Sequence, residues 1–127
     1  MTKARDVMTD SPTIPDAGTP ISEIARKLRD ERVGAVIVCN SDQHLQGVVT
    51  DRDIAVEVVA VGRDATSTTA SEILSGRETV TIGADDDVDE AVRTMADHAV
   101  RRLPVIDDDR VVGMLSQADI ARHADDA

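Results

Sequence analysis

The sequence contains an internal repeat, and this repeat constrains the fold more than any other feature. Residues 47–54 (GVVTDRDI) return as residues 113–120 (GMLSQADI), each with a glycine, a short apolar stretch and an aspartate three positions after a hydroxyl residue. Residues 33–39 (VGAVIVC) likewise return as residues 100–106 (VRRLPVI). The chain is therefore predicted to contain one supersecondary unit twice, because self-similarity at a fixed spacing is the signature of repeat architectures.

The repeat extends upstream of these motifs and covers nearly the whole chain. Apolar residues at helical spacing precede each motif, and they are Ile21, Ile24, Ala25 and Leu28 in the first copy and Val88, Ala91, Val92 and Met95 in the second. Residues 4–8 (ARDVM) are echoed by residues 70–74 (ASEIL). We predict repeat 1 over residues 1–62, a threonine-rich linker over residues 63–69 and repeat 2 over residues 70–127.

Each copy is predicted to be an α/β (α+β) unit with the element order β-α-β-β-α. A residue before proline favours extended backbone, so the proline-containing lead-in of repeat 1 is predicted as strand and turn, not as helix. Thr19 is predicted to cap the first helix with Pro20 at its first position, and Asp86 is predicted to cap the counterpart in repeat 2. The apolar runs 34–39 and 47–49 flank a short polar loop, which predicts an antiparallel pair of strands.

The ends of the remaining elements follow from similar signals. The second helix of repeat 1 is predicted to begin at Thr50 or Asp51 and to end at Gly62, and the lead-in strand of repeat 2 is predicted over residues 79–82. Each copy alone leaves one face of its sheet bare. We therefore expect the two copies to pack about a pseudo-two-fold axis and to form two equivalent clefts between them.

These motifs, in this order and present twice in 127 residues, resemble a tandem cystathionine-beta-synthase (CBS) domain pair, also called a Bateman module. The sequences TDRDI at 50–54 and VRRLPV at 100–105 are most similar to the small free-standing pairs of the hypoxic-response type. The resemblance implies a regulatory, ligand-binding protein that forms a homodimer through its helices. It also implies that any catalysis would belong to a separate domain, so the signal would pass to an effector protein of unknown identity.

The hydroxyl residue and aspartate of the repeated motif, Thr50 with Asp53 and Ser116 with Asp119, stand where a strand ends and a helix begins. One explanation is a capping box, in which each side chain accepts a hydrogen bond from the other residue's backbone N–H. The other is a nucleotide site, because a helix N-terminus suits a phosphate and a carboxylate can accept the hydroxyls of a ribose. The occurrence of the motif in both copies favours the nucleotide site.

The family resemblance assigns the same roles to these residues. It implies that Asp53 and Asp119 hold the ribose, and that Thr50 and Ser116 lie near the phosphate. Adenine would lie between apolar strand residues. The backbone that reads its edge would be that of the two lead-ins, near the residues Thr13 and Ile14 in repeat 1 and Thr81 and Ile82 in repeat 2.

Arg101 and Arg102 precede the LPV sequence of the second copy. They are either two solvated charges or a phosphate clamp, since a guanidinium matches the geometry of phosphate. The resemblance to adenylate-sensing relatives implies the clamp. Repeat 1 has Gly34 and Ala35 at these positions, so we expect two unequal sites, and the sequence leaves open which cleft the arginines serve.

The composition excludes several classes of partner. The chain has no Phe, Tyr or Trp and a net charge of −11, so it lacks the stacking rings and the basic surface that nucleic acids or anionic membranes require. The core must be aliphatic. The excess of 25 acidic over 14 basic residues gives either an ordinary soluble surface or adaptation to high salt, where screening reduces self-repulsion.

No arrangement of side chains typical of an enzyme or a metal site is found. The acidic runs 85–89 and 107–109 lack the ligand pattern of a calcium loop and are predicted to be loop and cap charges, so Mg²⁺ is expected only if nucleotide phosphates carry it. The three histidines are isolated from one another, and the single Cys39 lies in an apolar run that predicts a buried thiol. A signal peptide and a membrane-length apolar segment are absent, which predicts a cytoplasmic protein.

Two functions remain. The chain is predicted to be a sensor that binds AMP, ADP, ATP or another adenosine derivative and signals by a change of conformation or oligomeric state. The alternative is a dimeric scaffold with vacant clefts. An enzyme is not expected.

Overall fold

The computed structural model describes residues 1–10, 14–74 and 79–126, and they form two compact units. The repeat-1 unit comprises Thr13–Thr79. The repeat-2 unit comprises Met1–Pro12 together with Val80–Ala127. The beginning of the chain therefore packs with the second repeat, which the repeat boundaries in the sequence do not indicate.

The repeat-1 unit contains three helices, a π-helical segment and a two-stranded sheet among its described residues. In chain order they are α2 (Ile21–Glu31), β2 (Ala35–Cys39), β3 (Leu45–Thr50), α3 (Asp51–Ile54), the π-helical segment Ala55–Val59 and α4 (Ala70–Leu74).

The strands β2 and β3 form the predicted antiparallel pair. Their register runs from Ala35 opposite Thr50 to Cys39 opposite Leu45, with an irregularity after Val38. The helix α2 buries Ile21, Ile24 and Leu28 in the core of this unit, which confirms the predicted apolar face. The core is entirely aliphatic here, as a chain without aromatic residues requires.

The repeat-2 unit contains a four-stranded sheet and three helices among its described residues. Its elements are α1 (Ala4–Val7), β1 (Thr9–Asp10), β4 (Ile82–Gly83), α5 (Val88–His98), β5 (Arg102–Asp107), β6 (Arg110–Ser116) and α6 (Gln117–Asp126). The strand order is β1-β6-β5-β4, with β4 parallel to β5 and the other neighbours antiparallel.

Several predicted boundaries are wrong by a residue or more. Pro20 is the residue before α2 and not its first residue, because its backbone is extended and the helix begins at Ile21. The cap of α5 is Asp87, whose Oδ1 accepts a 2.9 Å hydrogen bond from the N–H of Asp89. Asp86 instead accepts a 2.9 Å bond from the N–H of Gly83 and closes the turn before α5.

Three other elements differ from the predicted ones in kind or length. The lead-in predicted as strand and turn begins with the short helix α1 before β1, since Ala4 is completely buried against the repeat-2 core. The long second helix predicted for repeat 1 is α-helical only to Ile54 and then becomes π-helical as far as Val59. The lead-in strand of repeat 2 is the two-residue β4, later than predicted.

The two glycines of the repeated motif lie against the lead-in helix of the other repeat. A Cβ atom at Gly113 would come within 2.7 Å of Met8 Sδ and of the carbonyl oxygen of Thr9. A Cβ atom at Gly47 would come within 3.0 Å of Leu74 Cδ2. Met8 and Leu74 occupy equivalent positions of the two repeats, so each unit combines the sheet of one repeat with the lead-in of the other.

No helix within the described residues has both the length and the apolar character needed to cross a membrane.

Candidate ligand-binding site

The hydroxyl and carboxylate of repeat 1 form a complete capping box at the junction of β3 and α3. The N–H of Asp53 donates a 3.0 Å hydrogen bond to Thr50 Oγ1, and the N–H of Thr50 donates a 2.8 Å bond to Asp53 Oδ2. Both residues are half-buried. The capping explanation is therefore correct for this copy, and any ligand must bind to a carboxylate that already accepts a backbone hydrogen bond.

The same box closes the junction of β6 and α6 in repeat 2. The N–H of Asp119 donates to Ser116 Oγ at 3.0 Å, and the N–H of Ser116 donates to Asp119 Oδ2 at 3.0 Å. The Asp119 side chain is only 6% exposed, so this carboxylate lies deeper than an ordinary surface cap.

Two further donors reach Oδ1 of Asp119, and the sequence did not indicate either. Thr9 Oγ1 donates a 3.1 Å hydrogen bond from β1, and Arg122 forms an ion pair through Nη2 from the next turn of α6. The spacing of three residues between Asp119 and Arg122 is a helical contact that the sequence could have revealed. No pattern in the sequence links Thr9 to Asp119, because the two residues meet only through the packing of the lead-in on repeat 2.

The arginine pair lies beside the box of its own repeat. Arg102 is the cross-strand partner of Ser116, and the carbonyl oxygen of Arg101 accepts a 3.0 Å hydrogen bond from the N–H of Gln117, the first residue of α6. Both arginine side chains are exposed. The backbone of Arg101 and Arg102 therefore adjoins Ser116 within this unit, and which cleft their side chains serve stays a prediction.

The equivalent backbone of repeat 1 has the same bonds without the charges. Ala35 is the cross-strand partner of Thr50, and the carbonyl oxygen of Gly34 accepts a 3.1 Å hydrogen bond from the N–H of Asp51. The scaffolds of the two junctions therefore agree, while the side chains that could bind a phosphate differ.

The strand pairings show which lead-in residues of the two repeats are equivalent. Asp16 bridges to Cys39 in repeat 1 as Gly83 pairs with Ile106 in repeat 2, so the equivalent of Ile82 is Pro15.

Of the four predicted lead-in residues, one points into the core and one is not described. Ile82 is buried in the core of repeat 2, so only its backbone could contact a ligand. Ile14 and Thr81 are half-buried, and Thr13 lies outside the described residues.

Charge is distributed unequally between the two junctions. In repeat 2, Arg122 pairs with the buried carboxylate of Asp119, and the exposed residues Arg101 and Arg102 adjoin Ser116 and Gln117, where α6 begins. The positions equivalent to these arginines in repeat 1 are Gly34, Ala35 and Val56. In a chain with a net charge of −11, the repeat-2 junction is a local concentration of positive charge that suits an anionic ligand.

The CBS domain family matches this chain twice, over residues 4–60 and 70–126, and the chain therefore belongs to this family as a tandem CBS pair. Hypoxic response protein 1 of Mycobacterium tuberculosis is 37% identical over 124 residues, which span 97% of this chain and 85% of that protein. CBS pairs are regulatory modules, and neither this relative nor the CBS domain-containing protein YhcV of Bacillus subtilis, which is 35% identical over 121 residues, has the name of an enzyme.

Two solved structures share the fold at high similarity. The crystal structure of Hypoxic Response Protein I with two coordinated zinc ions is 36% identical, with a TM-score of 0.87, and the match covers 96% of this chain and 98% of that one. The CBS domain pair of protein MJ0100 in complex with 5′-methylthioadenosine and S-adenosyl-L-methionine is 25% identical, with a TM-score of 0.80, covering 98% and 97%.

The residues described for this chain do not fit a metal centre. Across residues 1–10, 14–74 and 79–126, no three His, Cys, Asp or Glu side chains are grouped so that they could hold an ion. Cys39 is buried in β2, and burial raises the pKa of its thiol, which disfavours the thiolate that metals bind.

Proposed function

We propose that this CBS pair is a sensor of an adenine nucleotide or another adenosine derivative, and that its principal site is the junction of β6 and α6 in repeat 2. The observation that carries the proposal is the almost completely buried carboxylate of Asp119, whose capping-box partner Ser116 lies opposite the exposed Arg102 in the sheet. Asp119 would accept the ribose hydroxyls, and the arginines with Ser116 and the N-terminus of α6 would bind the phosphate.

The chemistry of the site separates the two halves of such a ligand. A carboxylate accepts hydrogen bonds and repels phosphate, whereas guanidinium groups and a helix N-terminus attract phosphate and donate hydrogen bonds. A molecule that carries a diol and an anion a few ångströms apart satisfies both. The MJ0100 complex supports the adenosine half of such a ligand, since the 5′-methylthioadenosine and S-adenosyl-L-methionine in that structure both carry the ribose diol, although neither carries a phosphate.

The junction of repeat 1 would be a second and weaker site. Its Thr50 and Asp53 have the same backbone geometry, but Gly34 and Ala35 supply no positive charge. We expect this site to favour adenosine derivatives without phosphate. Mg²⁺ would enter either site only with the phosphates of a nucleotide, because the described residues provide no ligand cluster of their own.

Signalling requires that the ligand bind one arrangement of the protein better than another. We propose a homodimer whose contacts include the exposed valines on the helices. On the segment after α3, Val59 and Val61 are 70% and 60% exposed, and Val92 on α5 is 46% exposed. Ligand-dependent packing of these faces would pass the signal to a separate effector protein.

The alternative is a dimeric scaffold that binds no nucleotide. The observation in its favour is that both capping boxes are complete without a ligand, so Asp53 and Asp119 already have a structural role. The two functions differ in one respect that can be measured: only a sensor requires these carboxylates to bind a small molecule.

The experiment is a thermal-shift series with AMP, ADP, ATP and S-adenosylmethionine at low and high salt. Wild type, Asp119→Asn and Asp53→Asn are each compared with their own ligand-free transition, so any loss of intrinsic stability cancels. At about 100 times its Kd, a ligand stabilises the folded state by roughly 2.7 kcal/mol. We expect a shift in wild type that Asp119→Asn abolishes and Asp53→Asn largely retains.

Asp97→Asn serves as the matched control, since Asp97 is an exposed aspartate of α5 in the same unit as Asp119. It should leave the ligand-induced shift unchanged. A shift that survives in the double variant Asp53→Asn/Asp119→Asn would remove the nucleotide from these junctions. No shift with any ligand would establish the scaffold instead.

A further inference from the structure

The carboxylate of Asp119 is almost saturated with donors before any ligand arrives. A carboxylate offers about four lone-pair positions on its two oxygens. Among the described residues, the N–H of Ser116 uses one on Oδ2, and Thr9 Oγ1 and Arg122 Nη2 use two on Oδ1. The two hydroxyls of a ribose need two acceptors, so a ligand held in this way must displace one of the three donors.

Arg122 is the donor that can leave most easily. The bond from Ser116 belongs to the capping box, and Thr9 is held by the pairing of β1 with β6, in which it lies opposite Met114. Arg122 instead reaches the carboxylate with a long side chain that is 67% exposed. The Asp119 side of this pair is only 6% exposed, but a ribose hydroxyl would take the place of the guanidinium on the carboxylate, so no buried acceptor would be left without a donor.

A displaced Arg122 would still be next to the phosphate side of the site. Ser116 and Asp119 share one capping box, and Arg122 follows Asp119 by a single turn of α6. Its guanidinium would therefore need only a change of rotamer to move from the carboxylate to a phosphate near Ser116. There it would add to the charges of Arg101 and Arg102.

We propose that Arg122 is a specificity-determining residue that selects for phosphorylated ligands. It pairs with Asp119 when no ligand is bound, and a phosphate restores the ion pair that the ribose breaks. An adenosine derivative without a phosphate must break the pair and receives nothing in return. This inference rests on the proposed function, because it takes Asp119 as the acceptor of the ribose.

The two repeats differ at this position. The residue of repeat 1 that corresponds to Arg122 is Val56, within the π-helical segment after α3. A valine cannot exchange between a carboxylate and a phosphate. The selection for phosphorylated ligands by Arg122 therefore belongs to the repeat-2 site. It is a property additional to the charges of Arg101 and Arg102.

The test compares AMP with adenosine, which differ only by the phosphate, by calorimetric titration of the full chain. All proteins carry Asp53→Asn so that the repeat-1 site does not contribute, and Arg122→Gln is added to this background. We expect Arg122→Gln to tighten adenosine binding by up to about fivefold and to weaken AMP binding by about tenfold. Opposite signs are the decisive result.

Arg110→Gln is the matched control for the loss of one positive charge. Arg110 is exposed at the other end of β6, roughly 20 Å from Ser116 along the strand, and should change neither affinity. Equal changes for both ligands in Arg122→Gln, or no change, would overturn the inference and leave the proposed function intact. Binding of adenosine but not AMP to the background protein would do the same. Absence of both would overturn the proposed function and this inference with it.

Discussion

Thr9 Oγ1 donates a 3.1 Å hydrogen bond to Oδ1 of Asp119, although 110 positions separate the two residues in the chain. The bond joins the lead-in of repeat 1 to the capping box of the motif in repeat 2. The N-terminal segment is consequently part of the candidate site, and a change in this segment should be felt at the site as well as in the fold.

Thr9→Val should destabilise the ligand-free protein by about 1–2 kcal/mol, because a nearly buried carboxylate loses one of its donors while the side-chain shape is retained. The measurement is urea unfolding. Thr94→Val is the control: Thr94 Oγ1 donates to the carbonyl oxygen of Glu90 within α5, an oxygen that the helix itself can satisfy. An equal decrease in the free energy of unfolding in the two variants would show that the Thr9–Asp119 hydrogen bond stabilises the protein no more than an ordinary helix-surface bond does.

Gly113→Ala should weaken the docking of the lead-in on β6. The added methyl would lie within 2.7 Å of Met8 Sδ and of the Thr9 carbonyl oxygen, and the backbone oxygen cannot move without breaking β1 away. We expect a loss of roughly 1–3 kcal/mol, as for overpacked cores, and faster amide exchange in β1 than in β5.

Gly62→Ala is a useful comparison for the effect of the methyl group itself. Gly62 has open space around its Cβ position and a φ of 79°, so alanine there is strained by its backbone alone. This variant should lose stability without faster exchange in β1. Unchanged amide exchange of β1 in Gly113→Ala would contradict the predicted clash of the added methyl with Met8 and Thr9.

Arg5→Gln should reduce stability near neutral pH by removing the ion pairs that tie α1 to the rest of its unit. Arg5 Nε donates to Asp85 Oδ1 at 2.8 Å and Nη2 donates to Asp107 Oδ2 at 3.2 Å. The hydrogen bond from Arg5 holds the pKa of Asp85 below its ordinary 3.8. A lowered folded-state pKa means that the stabilisation is present above 3.8 and is lost as the pH falls through the folded value.

The difference in Tm between wild type and Arg5→Gln should therefore be present at neutral pH and disappear in strong acid. It should also shrink at high salt, since these side chains are exposed and screened. Arg93→Gln, which removes an exposed arginine from α5, controls for net charge. A difference that persists in strong acid would contradict the assignment to Asp85.

Cys39 should react slowly with thiol reagents while the protein is folded. The side chain is 2% exposed in β2, and burial raises the pKa of its thiol, which lowers the fraction of reactive thiolate. Labelling with a disulfide reagent at mildly alkaline pH should accelerate strongly when urea unfolds the chain. Equal rates with and without urea would mean that β2 opens readily.

Local patterns in the sequence were sufficient for the elements that depend on near neighbours. The apolar face of α2 and the antiparallel pair β2–β3 are confirmed, because spacing of 3.6 or 2 residues acts within a single element. The capping boxes are confirmed for the same reason, since three positions separate their members. The short helix α1 was missed, because its stability comes from burying Ala4 on a distant part of the chain.

The sequence by itself determined that one unit occurs twice, that the core is aliphatic and that the two motif sites differ in charge at Arg101 and Arg102. Only the tertiary structure decided which lead-in packs on which repeat, and hence that Thr9 reaches Asp119. The three-residue spacing of Asp119 and Arg122 in the sequence allows a contact within one helix, and the structure shows that this contact forms. The physical reason is range: hydrogen bonds across 110 residues depend on how whole elements pack, which no periodicity in a segment encodes.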